Sequence, residues 1–376
     1  MKNLLLILAG TILLVGCSGE QKFQISGTLT DFDNTGEPTM LYLKTRDANE
    51  ILVNVDSTYL TKDETFVLKG KSLETDLYFL ADKNNVFFLR IFVDPGNKIT
   101  VTGTATDVPS IKVKGSATQE LYTEFMLSLA PMQEEQETIQ YNYMTYAQNT
   151  SFSEEEFAEI EERLVADFEQ LDKQIEETTL AFITANSNNI VAAYLAYRNI
   201  ATAGKSEDIE KTLQLLNPEM TNKFVTLITN RLEKIKQTEV GAVLPNIELP
   251  DPEGTIISLE SLRGKYIFVD FWASWCGPCI REIPTLKMAY EKYKEKGFEI
   301  ISISVDSDKE SWLNGITQHD LNWLHVSDLQ AFNSPVVKQL AVAYVPHTFL
   351  LDPNGVIIAV DLRGEELENK LTELIP

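Results

Sequence analysis

Two hydrophobic periodicities divide the chain. In the first third, short apolar and β-branched runs alternate with turn residues: Phe23-Gln24-Ile25-Ser26-Gly27, Met40-Leu41-Tyr42-Leu43, Phe66-Val67-Leu68-Lys69-Gly70, and Val86 to Val93 ahead of Asp94-Pro95-Gly96-Asn97. Successive side chains of a strand face opposite ways, and Asp, Pro and Gly clusters end it, so the pattern predicts an antiparallel sheet or sandwich over 17–116. No acid pair, metal-ligand cluster or nucleophile constellation accompanies these strands, which reads as a structural or partner-binding module. Over 117–238 the period becomes helical. Phe157, Ile160, Leu164, Phe168, Leu171 and Ile175 recur every three or four residues with Glu and Lys between, placing one apolar stripe on one helix face. Core packing explains the stripe. A dimerising coiled coil needs three or four sustained heptads and this stripe covers fewer than three, so a homodimer is left open. Pro218 and the Pro, Gly and Asp residues of Gly241 to Pro252 close the helical region, and 239–376 forms the last domain.

Composition narrows the class. Among 376 residues, 44% are hydrophobic and 23% charged, which is ordinary for globular domains, and the length suits two or three of them. The net charge of −24 disfavours nucleic acid as a partner, because a polyanion is repelled before any base is read.

The N-terminus follows a different logic. Lys2 precedes an almost wholly apolar run from Leu4 to Val15, then Leu14-Val15-Gly16-Cys17. The run is about a dozen residues, short of the ~18 needed to span a bilayer, so 1–16 reads as an export signal. Leu-Val-Gly-Cys resembles the lipobox of bacterial lipoproteins, which implies lipidation of Cys17 and a membrane-anchored protein of the cell envelope facing the periplasm. Ser18 and Gly19 supply no retention aspartate, which points to the outer membrane. With Cys17 set aside, only Cys276 and Cys279 of the three cysteines remain, too few for a disulfide scaffold and enough for one redox pair.

Their surroundings carry the chemistry. Lys265 to Trp272 is an apolar, aromatic strand pattern running directly into Ala273-Ser274-Trp275-Cys276-Gly277-Pro278-Cys279. A helical pattern follows from Ile280 to Lys296, then a second buried strand from Phe298 to Val305. A Cys-x-x-Cys at the junction of strand and helix places Cys276 at a helix N-terminus, where free N–H groups and the positive dipole end stabilise a thiolate. A shift from pKa ~8.5 to ~7 takes the thiolate from about 3% to about 50% at neutral pH. Cys279, one turn further in and expected to be less accessible, attacks the mixed disulfide that Cys276 forms. Zinc is disfavoured, because no second cysteine pair exists and His319, His325 and His347 lack ligand spacing. No cofactor is implied.

Val269 to Cys279 resembles the active-site strand and loop of thioredoxins. Across Gly241 to Ile375 the chain is similar to membrane-tethered, thioredoxin-like thiol-disulfide oxidoreductases of the bacterial envelope, with Leu262-Arg263-Gly264-Lys265 before the strand and Glu282-Ile283-Pro284 after the second cysteine. The resemblance implies an α/β thioredoxin fold at the C-terminus, preceded by the antiparallel β domain and the α-helical segment. It implies a cis-proline at Pro346, in Val345-Pro346-His347-Thr348, whose neighbouring backbone pairs with the substrate chain. Asp270 matches the buried acid thought to deprotonate the resolving thiol, and Glu282 matches the acid after the cysteines in the envelope reductases. Trp275, Gly277, Pro278 and Val345 are the expected substrate contacts, while Trp272 is expected in the core. The family usually carries a small polar residue where His347 stands; here the imidazole either shifts the thiol electrostatically or caps a surface. The architecture also resembles bacterial lipoproteins in which a β domain of unknown function precedes the thioredoxin-like part, with Val55-Asp56-Ser57-Thr58 and Ile111 to Ser116 fitting that pattern.

The expected activity is reduction of disulfides in envelope proteins, with a membrane electron donor restoring the pair. A peroxiredoxin-type peroxidase needs Pro and Thr or Ser seven and three residues before its cysteine, where Val269 and Ala273 stand here. A non-catalytic binding or stress-sensing lipoprotein is the remaining alternative, and an intact Cys-x-x-Cys argues against it.

Overall fold

The computed structural model describes residues 19–32, 38–47, 50–147, 153–200 and 205–375. The export segment 1–16 and Cys17 lie outside the described residues. Internal contacts divide the chain into two units, one reaching Phe182 and taking in Asn189–Val191, the other formed by Ile183–Asn188 and Ala192 onward.

The first unit opens with β1 (Gln21–Thr30), β2 (Met40–Arg46), β3 (Leu52–Tyr59), β4 (Thr65–Ser72), β5 (Asp76–Ala81), β6 (Phe88–Val93), β7 (Lys98–Thr104) and β8 (Lys112–Lys114). They form two four-stranded sheets, ordered β4-β1-β7-β8 and β3-β2-β5-β6. All pairings are antiparallel except β1 with β7, which is parallel. The alternation read from sequence is what fills the core: Phe23, Ile25 and Leu29 of β1, Leu41 and Leu43 of β2, and Phe66 and Leu68 of β4 share one buried cluster. Burying each such side chain stabilises the unit by roughly 1.5–3 kcal/mol. Val86 stays exposed ahead of the strand, so β6 begins two residues later than the apolar run does. Gly27 lets β1 approach β7, since a Cβ there would stand 1.7 Å from the Val101 carbonyl oxygen.

Helices α1 (Ala117–Ala147) and α2 (Glu154–Ala185) follow. They run antiparallel, with Phe125 against Phe182 at one end and Tyr143 against Phe157 at the other. Leu164 and Leu171 of the α2 stripe are buried. The segment 117–238, one helical region in the sequence, is divided between the units. A helix with a single apolar stripe must borrow a core, and α1 finds one beside β6, where Gln119 accepts from the Phe92 amide at 2.8 Å.

The second unit carries α3 (Ile190–Asn199) from Ala192 onward, α4 (Ser206–Gln214) and α5 (Lys223–Lys236), the last capped by Asn222, whose side chain accepts from the Phe224 and Val225 amides. A hairpin of β9 (Glu248–Pro250) and β10 (Ile256–Ser258) leads into β11 (Tyr266–Trp272), α6 (Gly277–Tyr293), β12 (Phe298–Ser304), α7 (Lys309–Gln318), β13 (Leu324–Val326), α8 (Pro335–Gln339), β14 (His347–Leu351), β15 (Ile357–Val360) and α9 (Gly364–Leu374). The five-stranded sheet is ordered β13-β12-β11-β14-β15. Its centre, β11, runs parallel to β12 and antiparallel to β14. Covered on both faces, β11 is apolar at almost every position, with Ile267, Phe268, Val269, Phe271 and Trp272 all buried. The exception is Asp270. This is the thioredoxin fold, with the strand, redox motif, helix, strand order that the sequence predicts.

Candidate active site

The site forms where β11 ends. Cys276 caps α6, and its sulfur is bonded to Cys279 at 2.06 Å, with 5.2 Å between the Cα atoms. The Cys279 amide points at Cys276 Sγ from 3.2 Å. Pro278 has no N–H to offer, so the Cys279 amide brings the helix-end field to that sulfur. The sequence reading expects Cys276 to be the more accessible, but in this disulfide form both cysteines are equally covered, each 4% exposed. Trp275 beside them is 62% exposed and presents its ring to solvent, whereas Trp272 lies in the core.

The loop that delivers the cysteines is anchored by Asp306, a residue sequence reasoning did not single out. Its carboxylate accepts the Ser274 amide at 3.0 Å, the Ser274 hydroxyl at 2.7 Å and the Ser304 hydroxyl at 2.7 Å. Helix α7 closes on the same loop through Gly315, where a Cβ would stand 3.0 Å from Ser274 Cβ. The sequence signal for Asp306 is an acid closing the apolar run that β12 begins, with Val305 between it and the strand.

On β11, Asp270 accepts a 2.9 Å hydrogen bond from Ser302, whose hydroxyl in turn accepts from Trp323 Nε1 at 2.9 Å. Burial pushes the Asp270 carboxyl up to about 6, against the Ser302 bond and the positive charge of Arg363, with Glu282 adding a smaller upward push. A carboxyl in that range exchanges protons near neutrality, as a proton acceptor for a thiol requires. Glu282 also accepts from the Gly364 amide at the start of α9, through Oε2 at 3.0 Å.

The Val345–Pro346 bond is cis. Register places it at the same end of the sheet as the cysteines, because Thr348 pairs with Asp270 and His347 with Phe271. His347 is packed against Tyr344, Phe349 and Phe271 and does not cap a surface. Its Nδ1 lies 2.9 Å from Asp361 Oδ1 without hydrogen-bond alignment. Asp361 also accepts from the Thr348 amide at 3.1 Å and the Tyr344 hydroxyl at 3.0 Å. Burial raises its carboxyl, but His347, that amide and that hydroxyl outweigh it, so it ends below the usual carboxylate range. The structure thus brings Cys276, Cys279, Asp270 and the cis-Pro346 segment to one end of the sheet, and ties Glu282 to the start of α9. Asp306, Ser302, Asp361 and Arg363 complete the surroundings. The arrangement suits attack by a sulfur at a helix end, resolution by the second sulfur, and proton uptake by a buried acid.

Comparison with known proteins finds thiol-disulfide oxidoreductases among the chains similar to this one. The sequence model of the AhpC/TSA family matches residues 240–360, and that of a domain of unknown function (DUF4369) matches 23–122. The thiol-disulfide oxidoreductase ResA of Bacillus cereus (strain ATCC 10987 / NRS 248) is 34% identical over 150 residues, covering 40% of this chain and 84% of the relative. ResA of Geobacillus kaustophilus is 33% identical over 154 residues, covering 40% and 87%. Among solved structures, the thioredoxin domain of a thiol-disulfide oxidoreductase from Bacteroides vulgatus is 34% identical, covers 37% of this chain and 99% of its own, and has a TM-score of 0.35.

Proposed function

This chain belongs to the family of ResA-type thiol-disulfide oxidoreductases, and from that premise we propose that it is a lipid-anchored reductase acting on disulfides of other cell-envelope proteins. One observation carries the reading: Cys276 sits at the head of α6 with the Cys279 amide on its sulfur and Cys279 within bonding reach. The cycle starts from the reduced pair. The Cys276 thiolate attacks one sulfur of a substrate disulfide, forming a mixed disulfide and releasing the other substrate sulfur as a thiolate. Cys279 gives its proton to Asp270 and attacks Cys276 Sγ, so the second substrate sulfur leaves with the electron pair. The substrate gains two electrons and, once Asp270 returns its proton and solvent supplies the second, two protons, and Cys276–Cys279 becomes the disulfide. A membrane electron donor then re-reduces it.

The Gly277-Pro278 pair supports the reducing direction, since thioredoxins stand near −270 mV and strong oxidants near −120 mV, a gap of about 7 kcal/mol. The anchor in this reading is a lipid on Cys17, and the leaflet is that of the outer membrane. Trapping tests the function: Cys279→Ser in the full chain should accumulate mixed disulfides with envelope proteins through Cys276. The reading is lost if no such adducts form, or if Cys276→Ser complements a deletion fully. Labelling with radioactive palmitate tests the anchor, which Cys17→Ala should abolish.

A further inference from the structure

The turn from Asp361 to Gly364 touches both halves of the site. Asp361 binds the substrate-side segment through Tyr344 and the Thr348 amide, and its own amide donates to the Thr348 carbonyl at 2.9 Å. Gly364 binds Glu282 on the cysteine helix. Between them, Arg363 Nη2 donates to the carbonyl of cis-Pro346 at 2.5 Å. The same nitrogen is 3.5 Å from Asp361 Oδ1, at the outer limit of a hydrogen bond, so the carbonyl is its principal partner. Arg363 Nη1 is shielded from solvent and has no hydrogen-bond partner among the described residues, so the guanidinium is not spread over a surface ion-pair network.

We propose that Arg363 is a positioning residue for thiol-disulfide exchange: it fixes the carbonyl of cis-Pro346, and with it the backbone edge along which a disulfide-bearing chain lies, in register with the helix that carries the cysteines. The inference rests on the oxidoreductase reading above. A charged donor on a single carbonyl makes a stronger and more directional bond than a neutral one, which suits a loop whose backbone must be preformed before the substrate pairs with it. Arg363 reaches the chemistry a second way. The charged groups acting on Asp270 are Arg363 and, with opposite sign, Glu282; the guanidinium favours the ionised carboxyl, so its removal moves Asp270 upward.

Two substrates separate positioning from general damage. Reduction of insulin uses the backbone edge, whereas reduction of 5,5′-dithiobis(2-nitrobenzoate), a small aryl disulfide, needs only the sulfurs. In the full chain, Arg363→Gln should lower kcat/KM for insulin about tenfold, chiefly through KM, and leave the small disulfide within about twofold. Its pH profile with insulin should move upward, while Arg363→Lys, which keeps the charge and loses the planar fork, should hold the wild-type profile with a raised KM. If Arg363→Gln does not fold, the split between the two substrates is read on Arg363→Lys alone. Equal losses with both substrates, or no loss with either, overturn the proposal and leave the oxidoreductase reading standing. A wild-type chain that reduces neither substrate overturns both.

Discussion

Asp270 and His325 are buried side chains whose titrations act on stability with opposite signs. Between the ordinary carboxylate value of 3.8 and about 6, folded protein holds a proton on Asp270 that the unfolded chain has released. Stability therefore falls as pH rises through that window and stays reduced above it. Asp270→Asn should stabilise the protein at pH 7.5 by up to about 3 kcal/mol, with little gain at pH 3.5, while slowing resolution of the mixed disulfide. Denaturant titrations at the two pH values check it; an equal gain at both would show that the charge is not the cause. His325 runs the other way. Burial alone pushes its imidazole down to about 3, neither ring nitrogen has a partner among the described residues, and the ring stacks on Trp323. Unfolded chains bind its proton from 6.5 downward and the folded protein does not, so stability is full above pH 6.5 and declines toward pH 3. His325→Phe should remove a few kcal/mol of that acid loss, seen as a flatter dependence of melting temperature on pH between 6.5 and 4.

At the scale of elements, the loop between β11 and α6 depends on Asp306. Asp306→Ala leaves the Ser274 amide and two hydroxyls without their acceptor and should cost about 2 kcal/mol or more, while lowering the alkylation rate of reduced Cys276 several-fold. Unchanged alkylation would show that the loop holds its shape without the carboxylate. In the β domain, Gly27→Ala forces β1 from β7 and should destabilise that unit by about 1–3 kcal/mol or more, read from its denaturation. Periodicity and motif made much of this legible in the sequence. Strand β11, the cysteine loop, the α2 stripe and the strands with clean alternation stand out because a local pattern dictates them. The rest depends on distance along the chain. Asp306 meets Ser274, and Gly364 meets Glu282, through contacts between residues 32 and 82 positions apart, and no local pattern tells which partner either acid finds. Strand β3, touched in the sequence only through Val55 to Thr58, lacks a clear apolar face because its residues are mostly exposed. Strand β5 was missed for the opposite reason: five buried residues in succession erase the alternation. His347 was hardest, since a lone imidazole looks the same in sequence whether it packs on aromatic rings or faces water.

The whole molecule is two units with separate cores, and its optical probes are unevenly shared. All four tryptophans, Trp272, Trp275, Trp312 and Trp323, lie in the second unit, whereas helix and strand occur in both. Tryptophan emission and far-ultraviolet circular dichroism should therefore give denaturation curves that do not coincide, and coincident curves would mean that the units unfold as one. The bond at the centre of the chemistry ties together residues only three positions apart. Chain-entropy arguments give so short a ring about 2 kcal/mol of stabilisation, against nearly 5 for one closing a hundred residues. Opening and closing that ring thus changes stability far less than a long-range crosslink would. The protein can shuttle electrons turn after turn while the crosslink that comes and goes binds only one turn of one helix.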